Sequence, residues 1–115
     1  MAFSEFESKK YEMVVRRFVE RLRPPAQHRN KIDLSSRVRG QSVEIFEIHP
    51  SPTEPGSKIE AGVAKATYVK ANGVWKIYWQ RADLQWHRYD PIPEVDSLEE
   101  VLQIVGTDEY ACFFG

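Results

Sequence analysis

The sequence predicts a small α+β domain in which an N-terminal and a C-terminal helix accompany a central antiparallel sheet of about five strands. Three observations support this prediction: a helical apolar pattern near each end of the chain, strand-like alternation between them, and short turn signals that join neighbouring strands. The chain has 115 residues, the length of one domain, so we expect residues 1–115 to form a single domain.

The first helix is amphipathic and is predicted to begin at Ser4, which can form a capping box with Glu7. Apolar residues then recur at helical spacing along one face: Tyr11, Val14, Val15, Phe18 and Leu22. Pro24 and Pro25 are expected to end the helix, because proline removes a donor and clashes with the preceding turn. Residues 26–33 could add a short helical turn.

The first predicted hairpin joins strands over residues 37–39 and 42–48 through a two-residue turn at 40–41, which begins with glycine. This register sets Arg37 opposite Glu44, a favourable cross-strand ion pair. Residues 50–58, which contain three prolines and a glycine, are expected to form an exposed loop.

The second hairpin has the strongest turn signal of the chain, Asn72-Gly73 between two alternating runs. A two-residue loop there would pair Tyr68 with Ile77 and Lys70 with Trp75. The face with the small and bulky apolar residues is assigned to the core: Ala64, Ala66, Tyr68, Trp75, Ile77 and Trp79. The other face is amphipathic and is expected to be at least partly in contact with water: Lys65, Thr67, Val69, Lys76, Tyr78 and Gln80.

The remaining elements follow from similar signals. A further strand is expected over residues 84–89, followed by an extended connector at 90–93. Ser97 and Glu100 form a second capping box, and Gly106 is predicted to close the C-terminal helix. The stripe of that helix is Leu98, Val101, Leu102 and Val105.

The apolar tail over residues 110–114 should dock on the sheet or on another subunit, since exposed apolar patches of that size are uncommon. Cys112 is the only cysteine, which excludes an intrachain disulfide, and we expect it to be a small buried side chain.

Charge and composition exclude several classes of protein. With a net charge of −1 and 42% hydrophobic residues, the chain fits neither a disordered protein nor one with a global positive field. Ten basic and three acidic side chains fall in residues 9–39, and eight acidic and one basic in residues 83–110. We expect these blocks to face one another within the chain. No signal peptide or membrane-length apolar run is apparent, so we expect a cytoplasmic protein with no membrane partner.

Several stretches together resemble the bacterial domain of unknown function 3024 family. They are the Met-Ala-Phe-Ser-Glu-Phe-Glu start, the Arg-Pro-Pro break at 23–25, residues 40–48, residues 63–70, residues 74–87 and the closing Cys-Phe-Phe-Gly. The resemblance covers the chain from Phe3 to Gly115. It implies a stand-alone bacterial domain and supplies no catalytic or binding residues.

Candidate binding residues concentrate on the second hairpin and on the strand after it, where basic, aromatic and amide side chains could hold phosphates and stack bases. They are Lys65, Lys76, Tyr78, Gln80, His87, Arg88 and Tyr89. Alternation puts His87 and Tyr89 on one face and Trp86 and Arg88 on the other.

A metal-dependent nuclease site is a further alternative. Glu44, Glu47 and Lys65 on neighbouring strands resemble part of a nuclease core, in which two carboxylates would hold Mg²⁺. The two glutamates are an odd number of positions apart, so they should point to opposite faces, although Glu47 shares a face with His49. The three histidines have no paired spacing, and we expect no metal ligands and no cofactor.

The preferred hypothesis is a non-catalytic binding or interaction module that self-associates or binds a protein partner, because aromatic residues and arginine are common interface anchors. The alternatives are a nucleic-acid-binding module that uses the outer sheet face and the basic N-terminal helix, and the nuclease-like enzyme. A small-molecule pocket between sheet and helices, lined by Trp75, Trp79 or Trp86, also remains open.

Overall fold

The structure is a computed structural model, and it describes residues 2–115. Two helices pack on one face of a six-stranded antiparallel sheet. The helices are α1 (Glu5–Leu22) and α2 (Leu98–Thr107). The strands are β1 (Asp33–Arg39), β2 (Ser42–Pro50), β3 (Lys58–Val69), β4 (Val74–Gln80), β5 (Trp86–Arg88) and β6 (Glu94–Val95).

The strands from β1 to β5 lie in the sheet in chain order. The sixth strand, β6, was not expected and follows the predicted connector at residues 90–93. It pairs with the beginning of β4, while β5 pairs with the end of β4 on the same edge. The Ile77 N–H donates to the Pro93 carbonyl at 2.9 Å, which helps to hold β6 in place.

Helix α1 begins with the predicted capping box. The Ser4 hydroxyl accepts from the Glu7 N–H at 3.1 Å, and the Glu7 carboxylate accepts from the Ser4 N–H at 2.9 Å. The predicted stripe is wrong at its end, because Leu22 is 44% exposed while Val19 is buried. Leu22 belongs to the last turn of α1, where the packed part of the helix has ended.

The prolines end α1 as predicted, but the segment after them is less helical than expected. Only Ala26–His28 form a turn, of the 3₁₀ type, and Asp33 already belongs to β1. The first hairpin has the predicted register, with Arg37 opposite Glu44. Gly40 adopts the left-handed backbone (φ 61°) that the tight turn requires.

The register predicted for the second hairpin is wrong by two residues. Tyr68 lies opposite Trp75, not Ile77, and the loop has four residues. The Asn72 and Gly73 N–H groups both donate to the Val69 carbonyl, at 3.1 and 2.9 Å, which closes this longer turn. Because a shift of two preserves the alternation, the predicted core face is confirmed: Trp75 is buried, and Tyr68 and Trp79 pack against the core.

The C-terminal elements differ in detail from the prediction. Leu84 has φ 63° and is exposed, so the paired strand covers only Trp86–Arg88 and not residues 84–89. Gly106 lies inside α2, which ends one residue later. The helix is capped by Asp108 in the left-handed conformation (φ 48°).

Of the apolar tail, Phe113 docks on the core within the same chain, whereas Tyr110 and Phe114 stay exposed, at 59% and 38%. The Asp108 carboxylate accepts from the N–H groups of Phe113 and Phe114, at 3.0 and 2.9 Å. Phe113 is thereby buried against Tyr89, with their ring centroids 4.8 Å apart. Cys112 is half-buried beside them rather than fully buried.

The two charge blocks do not pair directly. The basic block finds its acidic partners nearby, as in the Arg16–Glu12 pair at 2.6 Å. Across the described residues 2–115, no ion pair within 4.0 Å joins the two blocks, although α1 contacts α2. Neither helix of this region is long and apolar enough to cross a membrane.

A bidentate ion pair joins the residue after α1 to the first residue of β1. The Arg23 guanidinium donates to both carboxylate oxygens of Asp33, each at 2.9 Å. These hydrogen bonds, with help from the Leu34 N–H, lower the pKa of the Asp33 carboxyl, although partial burial opposes the effect. The pair is about three-quarters buried, so water screens it less than an exposed pair.

We expect Asp33→Asn to destabilise the domain by about 1–3 kcal/mol at neutral pH. Because the folded pKa of Asp33 lies below its unfolded value of about 3.9, its contribution is complete above that pH and is lost as the pH falls through the folded pKa. Urea unfolding of both proteins at several pH values should show the stability difference shrinking below about pH 4. A difference that is unchanged at low pH would contradict this assignment.

Candidate functional site

The candidate site is the outer face of the sheet, defined as the side chains that point away from α1 and α2. Register assigns these residues, because cross-strand partners share a face. By register they are Asp33, Ser35, Arg37, Arg39, Ser42, Glu44, Phe46, Ile48, Pro50, Lys58, Glu60, Gly62, Lys65, Thr67, Val69, Val74, Lys76, Tyr78, Gln80, Trp86, Arg88 and Glu94. None of them belongs to the hydrophobic core that the helices cover.

One row of the outer face crosses five strands. It runs from Arg37 through Glu44, Lys65 and Tyr78 to Arg88, each directly opposite the next. Neighbouring strands are about 4.8 Å apart, so Lys65 and Arg88 flank the ring of Tyr78 at one strand's distance on either side. An aromatic side chain therefore stands between two cations near the centre of this face.

A shallow recess lies beside Tyr78. It has a volume of about 300 Å³ and is lined by Lys76, Tyr78, Arg88, Pro93 and Glu94. The short β6 forms one wall, because it pairs with the start of β4 and sets Glu94 opposite Lys76. The recess combines an aromatic face with two cations and one carboxylate, which suits a planar ligand that carries negative charge.

Arg37 lies on the β1–β2 side of this face, where it contacts Phe46. Its guanidinium carbon lies 4.0 Å from the centroid of the Phe46 ring, a cation–π geometry. It also contacts the carboxylates of Glu44 and Glu60. Phe46 is only 8% exposed under this cover, so it adds little apolar surface for a partner. Arg37 is consequently already engaged within the chain.

Trp86 packs on the sheet at Gly62. The Gly62 N–H donates to Gln80 Oε1 at 2.8 Å, and Gln80 Nε2 donates to the Leu84 carbonyl at 3.2 Å. A Cβ atom at Gly62 would lie 2.7 Å from Trp86 Cη2, so only glycine leaves room for the indole ring. A shift in pairing between β2 and β3 at Ile45/Phe46 accompanies this contact.

The structure brings five of the seven sequence-predicted binding residues together on the outer face. These are Lys65, Lys76, Tyr78, Gln80 and Arg88. Of the five, Gln80 supports the backbone at Gly62, and Arg88 has an exposed partner in Asp90 at 2.8 Å.

The other two predicted binding residues, His87 and Tyr89, lie on the side of the helices, as alternation along the strand predicts. His87 Nε2 is 2.8 Å from Asp83 Oδ2, and the pKa of the Asp83 carboxyl is lowered by the Gln85 N–H and by this histidine. Tyr89 is 2% exposed, and burial raises the pKa of its hydroxyl. Tyr89 is therefore part of the core, His87 forms a local pair with Asp83, and neither lies on the outer face.

Among the cations next to Tyr78, Lys65 and Lys76 are more available to a ligand than Arg88, which pairs with Asp90. In the part of the chain that is described, neither has an acidic partner within 4.0 Å. Their cross-strand neighbours Glu44 and Glu94 lower the local positive potential without forming ion pairs with them. By register the face as a whole carries six basic side chains against four acidic ones.

The residues of the nuclease-like alternative are not assembled into one site. Glu44 lies on the outer face beside Lys65, whereas Glu47 lies on the other side, opposite Leu34. Glu47 Oε1 is 3.2 Å from His49 Nε2, so these two form a local pair. Among residues 2–115 no group of three or more His, Cys, Asp or Glu side chains is placed to hold a metal ion.

Sequence reasoning missed two features of the outer face. The Arg37–Phe46 stack was not predicted, although the register of the first hairpin makes these two residues diagonal neighbours on one face. The contact of Trp86 with Gly62 could have been anticipated from Gly62, because a glycine inside a strand often marks a close approach or a bulge.

Comparison with known proteins yields one positive finding: a protein-family model described as Domain of unknown function (DUF3024) matches residues 3–115. No curated protein and no solved structure matches the chain.

Proposed function

The chain belongs to the family described as Domain of unknown function (DUF3024), and we propose that it is a binding module whose outer sheet face holds single-stranded nucleic acid. One observation carries the proposal: Tyr78 lies near the centre of a sheet face that no helix covers, with Lys65 and Arg88 on the adjacent strands. Lys76, two residues before Tyr78, adds a third cation on the same face.

The chemistry of this group suits a single strand. An unpaired base can stack on the exposed face of an aromatic ring, which contributes about 1–3 kcal/mol per base. Cations around the ring can bind the phosphates on both sides of the stacked base.

The composition of the face favours nucleic acid over a protein partner. The centre of a protein interface is usually apolar, and lysine is depleted there. Here the centre is polar, and the apolar Phe46 is already covered by Arg37. The outer face carries six basic side chains against four acidic ones by register, and this excess also favours an anionic ligand.

The test is fluorescence anisotropy with labelled single-stranded DNA and RNA oligonucleotides at low salt. We expect binding that weakens as salt is added, because released counterions contribute to affinity. Tyr78→Ala should weaken binding about 10-fold, the loss of one stacked base. Lys76→Ala should weaken binding to all sequences alike and reduce the salt slope by about 1.

The matched controls are Tyr110→Ala and Lys9→Ala, which remove an exposed aromatic and an exposed cation elsewhere on the domain. Both should bind like the unmodified protein. Absence of any anisotropy change at low salt, or equal losses in the controls, would show that the outer face is not a nucleic-acid site.

A further inference from the structure

A groove runs between the two helices on the opposite side of the molecule. It has a volume of about 1030 Å³, and its floor is formed by Val14, Phe18 and Leu102. Met13 stands at its edge and is 54% exposed. The groove is therefore an apolar surface that the chain itself leaves open, and surfaces of this kind are typical of interaction sites.

The two rims of the groove carry opposite charges. On the α1 rim, Arg17 and Arg21 have no acidic side chain within 4.0 Å among the residues that the structure describes. On the α2 rim, Glu99 likewise has no basic partner within that distance in residues 2–115. Arg16 and Glu20 also line the groove, but each already pairs within the chain.

We propose that a second copy of this chain occupies the groove, related to the first by a two-fold axis that runs along it. Rotation by 180° about that axis places the basic rim of each copy against the acidic rim of the other. Arg17 and Arg21 of each copy then face Glu99 of the other, and Met13 covers apolar surface of the other copy. An axis across the groove would instead oppose like charges, which disfavours that arrangement.

The size of the contact predicts a weak dimer. Helix α1 has 18 residues and is about 27 Å long, and we expect a contact confined to this helix and α2 to fall near the low end of specific interfaces. We expect association at about micromolar concentrations. The outer faces of the two sheets would point away from each other, so dimerisation does not rest on the proposed nucleic-acid site and leaves it open.

The test is sedimentation equilibrium of the full chain over roughly 1–500 µM. The unmodified protein should dimerise, whereas Arg17→Glu combined with Arg21→Glu, and separately Glu99→Arg, should each weaken the dimer at least about tenfold. A mixture of the two reversed proteins should associate again, because in the mixed dimer both rim contacts join opposite charges. Circular dichroism checks that the surface variants remain folded.

Glu54→Arg is the matched control, since it reverses an exposed charge in the loop between β2 and β3, outside the groove and the recess, and should leave dimerisation unchanged. A strictly monomeric protein at the highest concentration would overturn the proposal, as would reversed variants that fail to associate when mixed. A monomer that binds an unrelated amphipathic helix in the groove would also overturn it. The two proposals can fail independently. Variants of the groove should lose the dimer and keep nucleic-acid binding, whereas Tyr78→Ala should lose nucleic-acid binding and keep the dimer.

Discussion

Replacement of Trp75 by alanine is expected to destabilise the domain by about 3–5 kcal/mol, the range for removal of a buried aromatic side chain. Trp75 is 2% exposed, and its ring lies among three others: Phe3 at 5.8 Å, Tyr11 at 5.0 Å and Tyr68 at 5.2 Å between centroids. It lies opposite Val95 of β6. Its loss would therefore leave a cavity where the N-terminal segment, α1, the second hairpin and β6 meet.

Urea unfolding followed by far-ultraviolet circular dichroism measures this loss of stability. The control is Trp79→Ala on the same strand and the same face, where the indole ring is only half-buried. It removes less buried area and should therefore reduce the free energy of unfolding by less. An equal loss at the two tryptophans, or a loss below about 1 kcal/mol for Trp75→Ala, would contradict the role assigned to Trp75.

Gly62→Ala is expected to destabilise the domain by about 1–3 kcal/mol, although it adds a single methyl group. The new Cβ would lie 2.7 Å from Trp86 Cη2 and 2.8 Å from Gln80 Oε1, distances at which atoms must move apart. Gln80 cannot turn away without giving up its hydrogen bond from the Gly62 N–H. The expected consequence is displacement of Trp86 and loosening of the β4–β5 edge.

A double-mutant cycle with Trp86→Ala identifies the cause. If the indole ring is the obstacle, Gly62→Ala should reduce stability much less in the Trp86→Ala background, because the methyl group then has space. The tryptophan fluorescence of the single Gly62→Ala variant should change as well. The same loss of stability with and without Trp86 would mean that the backbone, and not the indole ring, requires glycine.

Much of the fold could be predicted from local patterns. Both capping boxes, at Ser4 and Ser97, are formed as their spacing indicates. The turn after Arg39 and the partition of the second hairpin into a core face and an outer face are also confirmed. These features depend on residues a few positions apart, where side-chain chemistry and backbone periodicity act directly.

The candidate site was predictable only in part. Alternation alone places Lys65, Lys76 and Tyr78 on one face, because these residues belong to one hairpin. It also separates Arg88 from His87 and Tyr89. It does not say that Arg88 lies directly beside Tyr78, since that depends on how β5 pairs with β4. The groove between α1 and α2 likewise requires both helices to be placed on the sheet.

The sequence by itself determined the fold class, the helix starts and the face to which each side chain of the second hairpin belongs. Only the tertiary structure decided the four-residue loop and the register of that hairpin, the bulged pairing at Ile45/Phe46 and the addition of β6. The physical reason is that a shift of two residues leaves every side chain on its face, so periodicity cannot distinguish the two registers. The register of the second hairpin and the close contact of Trp86 with Gly62 both depend on packing between segments that are distant in the chain.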